Sequence, residues 1–458
     1  MALYCDFMVD ALQYNDTFIF YMSQEVFKIT GLGGKKTLTG KIEIQGAKNA
    51  ALKAMAAACL FDGPVILENV PDTEDIHTSS EILKKLGVTV SALEHHSLTI
   101  DSSTLNSTDI DCDMAKSMRA SVVLTGPLLS RVGKVRFPSP GGCVIGARPI
   151  DQFIDGYSKM GAETKDAEGA FEISGGGRLR GAQIFFDMQS VGGTETLMMA
   201  AVLAEGITVL KNCAMEPEIV SLALWLNSCG AKIEGAGTTT ITIHGTSGKL
   251  LKPKHPYMTI PDRIETGSFL LLGALTAEEL ELTSCDPSHN ESLINFLKKS
   301  GVPITADEKK GTIKISGNDK PNNSFKAFNV RTHEYPGFPT DLQSPLVTFL
   351  TQVTGESTVF ETIFEGRFKY ATDLTKMGAH ITVLNPREIM IKGPTDLKQL
   401  RDAEELSAHD IRAGFAVVLA ALVGTGDFVV NNIHLIDRGY EHLARRLQSI
   451  GAQITRTS

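Results

Sequence analysis

The chain has 458 residues, of which 42% are hydrophobic and 21% charged, a balance that excludes an intrinsically disordered protein. Its 53 Asp and Glu exceed its 44 Lys and Arg, and the resulting net charge of −9 disfavours general nucleic-acid binding. The length predicts about two or three domains. An anionic small molecule is compatible with this composition only where basic side chains are concentrated locally.

The seven cysteines are scattered without a CxxC pair, which favours a reducing compartment over a disulfide scaffold or a zinc ribbon. The longest apolar runs are about half of the ~20 residues that span a bilayer. The first basic residue is Lys28, so the N-terminus lacks the positive region of a secretory signal. We therefore expect a cytoplasmic protein without membrane insertion.

Residues 1–21 differ from the rest of the chain, because aromatic residues are frequent there and no period emerges. We expect this segment to be an atypical N-terminal extension, either a loosely ordered tail or sequence upstream of a true start at Met22. It is excluded from the fold prediction.

A helix end, a glycine and an apolar strand recur six times along the chain. The six glycines are separated by 74, 69, 71, 77 and 73 residues. In order, they are Gly87, Gly161, Gly230, Gly301, Gly378 and Gly451. Each glycine is predicted to take the left-handed conformation that ends a helix, and the alternating residues after it predict a half-buried strand. The near-equal spacing predicts six copies of one unit.

Ala- and Leu-rich helices are predicted within these units, as at Ala54–Leu60, Leu197–Leu203 and Phe415–Val423. Helices this apolar are surrounded by other elements, and one unit alone buries too little surface, so neighbouring units must share a core. Six units divide into two lobes of three. The Pro- and Lys-rich segment Leu250–Pro256 is predicted to connect the lobes, with a ligand cleft between them.

The segment Gly46–Ala51 places Lys48 and Asn49 at the start of a predicted helix. A helix N-terminus carries partial positive charge and free N–H groups, so a lysine beside it suits an anion. The alternative is a solvated Lys48 with Asn49 as a helix cap, which this segment alone favours.

The segment Pro140–Pro149 contains three glycines around Cys143 and predicts an exposed loop. Arg148 nearby would favour a reactive thiolate at this cysteine. The alternative is an inert, buried thiol, which is the commoner state of a free cysteine.

Four arginines occur in similar settings at the joints of the repeat: Arg119, Arg367, Arg412 and Arg438. A guanidinium can bind phosphate or carboxylate through two parallel hydrogen bonds. Each arginine alone is best interpreted as a surface ion pair, whereas four at equivalent joints favour an anion site. Asp341 precedes an apolar helix and is either its N-cap or a general base.

Six segments together resemble the enolpyruvyl transferases over nearly the whole chain apart from the extension. They are Gly46–Ala51, Pro140–Asp151, Ser190–Gly192, Pro261–Gly267, Pro339–Gln343 and Asp437–Tyr440. The resemblance implies an α/β fold, a two-lobed inside-out α/β barrel built from six βαβαββ-type repeats with three per lobe. It implies one lobe of residues 48–257, which carries the Cys143 loop, and a second of residues 22–47 plus 258–458.

The resemblance further implies transfer of the enolpyruvyl group of phosphoenolpyruvate to the 3′-hydroxyl of UDP-N-acetylglucosamine, the first committed step of peptidoglycan synthesis. Phosphate would leave through a tetrahedral addition–elimination intermediate. We expect no metal and no organic cofactor, because no metal-ligand spacing occurs in the sequence and the family's chemistry uses neither. The expected protein is a monomer or weak oligomer and a target of fosfomycin.

By this resemblance, Cys143 is the general acid toward the methylene carbon of phosphoenolpyruvate and the residue that fosfomycin alkylates. Asp341 helps to deprotonate the sugar hydroxyl, and Lys48, Arg148 and Arg438 form the clamp for phosphoenolpyruvate. The resemblance assigns the other cleft residues to substrate binding: Asn49, Arg119, Pro149, Ile150, Asp151, Gln152, Ser190, Val191, Gly192, Ile363, Arg367, Asp410 and Arg412.

Two positions depart from the family pattern. Lys53 stands where a proline often follows Ala-Ala-Leu, and Gly366 stands where asparagine is common before Arg367. The first is expected to affect local helix geometry, and neither removes a catalytic group.

Three other functions are compatible with parts of the sequence. The sister reaction on shikimate 3-phosphate shares the fold, but the Cys143 loop and the Asp341 segment favour the nucleotide sugar. A regulatory paralogue that binds the nucleotide sugar without catalysis would be marked by loss of Cys143, Lys48, Asp341 or Arg438, and all four are present. A purely structural solenoid is disfavoured, because the repeats carry reactive residues at their joints.

Overall fold

The computed structural model describes residues 25–138, 150–167, 169–316, 321–400 and 405–457, and these residues form an α/β protein. The predicted extension and the Cys143 loop lie outside these ranges. The helices are α1 (Lys48–Ala57), α2 (Glu74–Lys85), α3 (Cys112–Ser117), α4 (Thr125–Val132), α5 (Asp151–Lys159), α6 (Val191–Val202), α7 (Pro217–Ser228), α8 (Arg263–Thr276), α9 (Glu291–Ser300), α10 (Gln343–Leu350), α11 (Ala371–Lys376), α12 (Ile411–Val423), α13 (His434–Asp437) and α14 (Leu443–Ser449).

The strands are short and alternate with the helices along the described residues. They are β1 (Val26–Thr30), β2 (Leu38–Glu43), β3 (Val65–Glu68), β4 (Thr89–Val90), β5 (Leu98–Asp101), β6 (Lys134–Pro138), β7 (Glu163–Ala167), β8 (Ala170–Ser174), β9 (Gln183–Phe185), β10 (Ile207–Lys211), β11 (Lys232–Glu234), β12 (Thr240–His244), β13 (Tyr257–Met258), β14 (Ala277–Thr283), β15 (Ile304–Asp307), β16 (Thr312–Ser316), β17 (Val330–Arg331), β18 (Gly355–Phe360), β19 (His380–Asn385), β20 (Glu388–Gly393), β21 (Leu406–Ser407), β22 (Asp427–Asn431) and β23 (Gln453–Thr457).

The strands of the described residues form six small sheets. Their strand orders are β13-β3-β5-β4, β6-β8-β7, β11-β12-β10-β9, β15-β16-β14-β2, β17-β18-β20-β19 and β21-β22-β1-β23. Five of these sheets contain one parallel pair, as in β2 with β14, where Ile42 faces Leu282. The N-terminal strands β1 and β2 therefore belong to sheets formed with the C-terminal half of the chain.

Six helices end just before a glycine whose φ lies between 86° and 113°. These helices are α2, α5, α7, α9, α11 and α14, and a strand begins within a few residues of each glycine. Glycine reaches this left-handed region without the steric cost that a Cβ would impose. The predicted conformation of the six repeat glycines is confirmed.

Six other helices are almost wholly buried, because their surfaces are apolar on nearly every side. They are α1, α4, α6, α8, α10 and α12. In α12, every residue from Arg412 to Val423 is buried. The prediction that the Ala- and Leu-rich helices are surrounded by other elements is confirmed.

The buried residues form two separate hydrophobic cores. The first core draws on residues 51–257, and the second on residues 27–44 and 264–454. The chain passes between the cores twice, and the two crossings pair with each other. The Ala47 amide donates to the Ile260 carbonyl at 2.7 Å, and the Asp262 amide donates to the Gln45 carbonyl at 2.9 Å. A Cβ on Gly46 would lie 1.7 Å from the Asn69 carbonyl oxygen, so this crossing requires glycine.

The connection between the cores lies C-terminal to the predicted segment Leu250–Pro256. Leu251 is still part of the first core, and it bridges to Phe61. Tyr257 also packs in the first core, so the main chain leaves it only after that residue. The Pro- and Lys-rich composition of this segment reflects its solvent exposure and not a connection between cores. Leu251 anchors the segment to the first core.

Candidate active site

A cleft of about 400 Å³ is lined by residues from both cores. Its wall includes the first turns of α1 and α6, the start of α5, and the 3₁₀ turns Arg119–Leu124 and Thr340–Leu342. Eight of the residues assigned by resemblance line it: Asn49, Arg119, Gln152, Ser190, Val191, Gly192, Asp341 and Ile363. These residues are distant in sequence and converge only in the folded chain.

The N-terminus of α6 forms part of the cleft wall. Ser190 caps this helix, because its Oγ accepts a hydrogen bond of 3.0 Å from the Gly193 amide. Val191 and Gly192 occupy the first turn, where helix N–H groups and partial positive charge favour an anionic group. Gln152 Oε1 is buried with no hydrogen-bond donor among the described residues, so it is an acceptor available to a ligand.

The Asp341 carboxylate is held by two buried arginines. Arg367 Nη2 donates to Oδ1 at 2.7 Å, and Arg412 Nε donates to Oδ2 at 3.3 Å. The two arginines are each 4% exposed, so the interpretation as surface ion pairs is wrong for both. This clamp fixes the orientation of the carboxylate and offsets its charge.

Two guanidinium atoms of this clamp are buried donors without an acceptor among the described residues. They are Arg367 Nε and Arg412 Nη1. A buried donor without a partner costs about 1–3 kcal/mol, and neither arginine is among the described residues that line the cleft. Asp410 Oδ1 is already engaged, because it accepts from the Arg412 amide at 2.8 Å and the Ala413 amide at 2.9 Å as the N-cap of α12.

A fully buried carboxylate, Glu361, supports the Asp341 side of the cleft. Its Oε1 accepts from Thr332 Oγ1 at 2.9 Å and from the Ile363 amide at 2.8 Å. Its Oε2 accepts from Thr340 Oγ1 at 2.8 Å, and Arg367 Nη1 donates to the same hydroxyl at 2.7 Å. The cleft residue Ile363 and the Asp341 clamp are therefore joined through one buried group.

A second cationic cluster forms where α1 meets the C-terminal part of the chain. Asp75 Oδ2 accepts from Lys48 Nζ at 2.8 Å, and Asp75 Oδ1 accepts from Arg438 Nε at 2.9 Å. Lys48 is 6% exposed and Ala47 is the N-cap residue of α1, so a solvated Lys48 with an Asn49 cap is wrong. Asp75 of α2 therefore joins the start of α1 to Arg438, which follows α13.

Burial and charge act against each other in this cluster. Burial lowers the pKa of Lys48, and Arg412 and Arg438 add to that effect while Asp75 opposes it. Burial alone would raise the pKa of Asp75, but Lys48 and Arg438 outweigh it and hold that pKa below its usual value. The ionised carboxylate thus holds two cations close together.

Several charged cleft residues were missed in the sequence. Arg263 Nε donates to Glu218 Oε1 at 3.1 Å, and the Arg263 guanidinium lies 5.6 Å from the Tyr335 ring centroid. Lys53 Nζ lies 3.2 Å from Glu195 Oε2, and Lys53 lines the cleft. Arg263 lies in the Pro261–Gly267 segment and Lys53 departs from the family pattern, whereas their pairings with Glu218 and Glu195 depend on contacts between distant elements.

Other assigned residues lie at the edge of the described chain or beyond it. Cys143, Arg148 and Pro149 fall outside the described residues. Ile150 is buried just before α5, and Asp151 is the exposed first residue of that helix.

The described residues contain no group of three or more His, Cys, Asp or Glu side chains placed to hold a metal ion. In the same ranges, no helix combines the length and apolar character needed to cross a membrane.

A family comparison defines the class of protein to which this fold and cleft belong. The family model for EPSP synthase (3-phosphoshikimate 1-carboxyvinyltransferase) matches residues 32–447, so the chain belongs to this family. Curated relatives narrow the similarity to one branch, the proteins named UDP-N-acetylglucosamine 1-carboxyvinyltransferase. That of Koribacter versatilis is 43% identical over 92% of this chain and 95% of its own length. That of Acinetobacter baylyi is 42% identical over 94% of this chain and 99% of its own. The family membership predicted from the sequence motifs is confirmed.

Solved structures of the same class share the fold. The enolpyruvyl transferase NikO from Streptomyces tendae superposes with a TM-score of 0.84 at 24% identity, covering 95% of this chain and 99% of its own. An EPSP synthase from Acinetobacter baumannii gives a TM-score of 0.70 at 19% identity, covering 95% and 100%. At these identities the similarity concerns the fold alone.

Proposed function

We propose that this chain transfers the enolpyruvyl group of phosphoenolpyruvate to the 3′-hydroxyl of UDP-N-acetylglucosamine and releases phosphate, in the first committed step of peptidoglycan synthesis. The observation that carries the proposal is the Asp341 carboxylate, held by Arg367 and Arg412 in a cleft lined by eight of the predicted substrate residues. Relatives above 40% identity that carry the name of this activity support the choice of acceptor.

In the proposed reaction, the sugar hydroxyl oxygen bonds to C2 of phosphoenolpyruvate while a proton is added to its C3 methylene. A proton is then lost from C3 and the C2–O bond to phosphate breaks, which leaves the enolpyruvyl ether and free phosphate. Asp341 accepts the hydroxyl proton, for which a carboxylate of fixed orientation is suited. We assign the acid that protonates C3 to Cys143.

The cationic cluster of Lys48 and Arg438 is assigned to the phosphate and carboxylate of phosphoenolpyruvate, together with Arg148. Both substrates are anionic and the chain carries a net charge of −9, so binding requires positive charge concentrated at the cleft. The first turn of α6 and Gln152 are assigned to the nucleotide sugar.

We also propose that the two hydrophobic cores are two lobes, of residues 48–257 and of residues 22–47 plus 258–458. Each lobe would be an inside-out barrel of three repeats, with α1, α4 and α6 inside the first and α8, α10 and α12 inside the second. The six sheets and the six helix–glycine–strand units support this arrangement. We propose a cytoplasmic monomer or weak oligomer.

The test is phosphate release from phosphoenolpyruvate by the purified full chain, with either UDP-N-acetylglucosamine or shikimate 3-phosphate as acceptor. We expect release only with the nucleotide sugar, blocked by fosfomycin and abolished in Cys143→Ala. Release only with shikimate 3-phosphate would overturn the acceptor assignment. Binding of the nucleotide sugar by folded protein without any release would indicate a regulatory paralogue instead.

A further inference from the structure

The wall of the cleft contains an ion pair that the catalytic assignment above does not use. Lys53 Nζ, on α1, lies 3.2 Å from Glu195 Oε2, on α6. The Lys53 side chain keeps 10% of its surface exposed, whereas that of Glu195 keeps 0%. Lys53 lines the cleft, and Glu195 lies behind it.

Lys53 stands beside residues already assigned to the nucleotide sugar. It follows Asn49 by four positions on α1, so the two side chains share one face of the helix, and both line the cleft. Glu195 follows the cap residue Ser190 by five positions in the helix whose first turn also lines the cleft. The pair therefore joins α1 and α6, two helices that line the cleft.

Burying this ion pair costs free energy, because both charges lose contact with water. A buried Lys–Glu pair is commonly no more stable than apolar side chains of similar volume, because both charges lose their hydration. Neither Oε1 nor Oε2 of Glu195 has a hydrogen bond of good geometry from any described residue. Burial raises the pKa of Glu195 to about 7, Lys53 opposes this, and Glu218 and Glu216 of the α7 start add repulsion.

A lysine ammonium has three N–H donors, and the 3.2 Å contact with Glu195 engages at most one of them. Lys53 reaches the surface of the cleft, whereas Glu195 is fully buried behind it. A ligand oxygen in the cleft could therefore accept a hydrogen bond from one of the remaining donors, while Glu195 holds the Lys53 side chain in position. Lys53, which departs from the family pattern, adds a basic side chain to the wall of the cleft.

We propose that Lys53 is a further substrate-binding residue, which donates a hydrogen bond to an acceptor oxygen of the nucleotide sugar, and that Glu195 is the positioning residue that holds it. The identity of the ligand rests on the proposed function. The oxygen belongs either to the UDP part or to the N-acetylglucosamine, and binding of UDP alone separates these two sources.

The test measures dissociation constants of UDP-N-acetylglucosamine and of UDP by titration calorimetry, with the KM for phosphoenolpyruvate from steady-state turnover. We expect Lys53→Met to weaken nucleotide-sugar binding by about tenfold while the KM for phosphoenolpyruvate changes less than twofold. Lys53→Arg should recover most of the affinity, because it keeps the cation. An equal loss for UDP assigns the oxygen to the UDP part, and unchanged UDP binding assigns it to the N-acetylglucosamine.

The matched control is Lys252→Met, which removes the lysine of an exposed pair with Asp62 whose side chains are 65% and 56% exposed. If Lys53→Met misfolds because Glu195 is left unpaired, the double variant Lys53→Met/Glu195→Leu supplies an apolar pair and replaces it in the titration. Wild-type affinity for the nucleotide sugar in either folded variant would overturn the assignment. Absence of nucleotide-sugar binding by the unaltered protein would instead refute the proposed function, and this assignment with it.

Discussion

Asp341 and Arg367 are joined by a hydrogen bond of 2.7 Å, and the same guanidinium donates a second bond of 2.7 Å to Thr340 Oγ1. The two donors occupy different nitrogens of one rigid plane, so the position of Arg367 determines the orientation of the carboxylate. Arg412 approaches the other oxygen of Asp341 from α12. A carboxylate fixed in this way can accept a proton in a defined direction.

We predict that Asp341→Asn lowers kcat by about 10²–10⁴-fold, the usual contribution of a positioned general base. The amide is nearly isosteric but cannot accept the proton, so the KM values should change much less than kcat. Steady-state phosphate release measures both. The control is Asp396→Asn, which changes an Asp of an exposed pair whose side chain is 69% exposed. Turnover of Asp341→Asn within threefold of wild type would exclude the base assignment.

Asp75 provides a second prediction, because its carboxylate bonds Lys48 at 2.8 Å and Arg438 at 2.9 Å. In Asp75→Asn the amide nitrogen would face either Lys48 or Arg438. That side chain would lose its hydrogen-bond acceptor and move away. We expect the KM for phosphoenolpyruvate to rise by about tenfold, with the KM for the nucleotide sugar nearly unchanged.

The matched change at the surface is Asp109→Asn, since Asp109 is 58% exposed and pairs with Arg136 at 3.3 Å. That variant should behave as wild type. A KM for phosphoenolpyruvate that is unaffected in Asp75→Asn would show that Asp75 does not position the clamp.

Glu361 provides a third prediction, because both of its oxygens accept hydrogen bonds inside the protein. Glu361→Gln would turn an N–H₂ group toward existing donors, which is expected to cost about 1–3 kcal/mol of stability. Thermal unfolding should show a lower midpoint, and the KM for the nucleotide sugar should rise because Ile363 loses its support. The exposed Glu356, which pairs with Lys392 at 3.7 Å, gives the control Glu356→Gln. An unchanged midpoint in Glu361→Gln would contradict the supporting role.

Glu195 makes a prediction about pH. Its pKa is raised by burial to about 7 in the folded chain, from an ordinary 4.5. The folded state therefore holds the proton more tightly, and the stability from this group is fully present below about pH 4.5 and is lost as pH rises through about 7. Glu195→Gln stays uncharged throughout, so its stability relative to wild type should increase with pH across this window, by about 1–3 kcal/mol in total.

Urea unfolding midpoints of both proteins at several pH values across this window measure that change. The groups that face Glu195 are Lys53, Glu216, Glu218 and Tyr257, and all four are retained in the variant. Glu234→Gln, at a side chain 60% exposed, is the control and should show no such trend. A difference between Glu195→Gln and wild type that is constant with pH would contradict the raised pKa.

Features carried by neighbouring residues could be predicted from the sequence. Gly87 and its five counterparts take positive φ because a local helix end requires it, and α1 begins at Lys48 as the Gly46–Ala51 segment predicts. The apolar helices are buried because no face of them is polar. The six motifs together identified the family that the comparison then confirmed.

Features that depend on distant partners could not be predicted. Asp75 lies in the first turn of α2 and would be interpreted as a favourable charge at its N-terminus, yet it bonds Arg438, which lies 363 residues away. Arg412 lies 71 residues from Asp341, and nothing local distinguishes it from a surface arginine. The sequence places Lys53 on a helix but does not show that Glu195 of α6 lies against it.

The most direct measurement is a competition between acceptors. The purified chain is given phosphoenolpyruvate with equal concentrations of UDP-N-acetylglucosamine and shikimate 3-phosphate, and the products are identified by mass spectrometry. We predict that only the nucleotide sugar gains the enolpyruvyl group and that one phosphate appears for each molecule of product. Enolpyruvyl shikimate 3-phosphate as the main product would contradict the account.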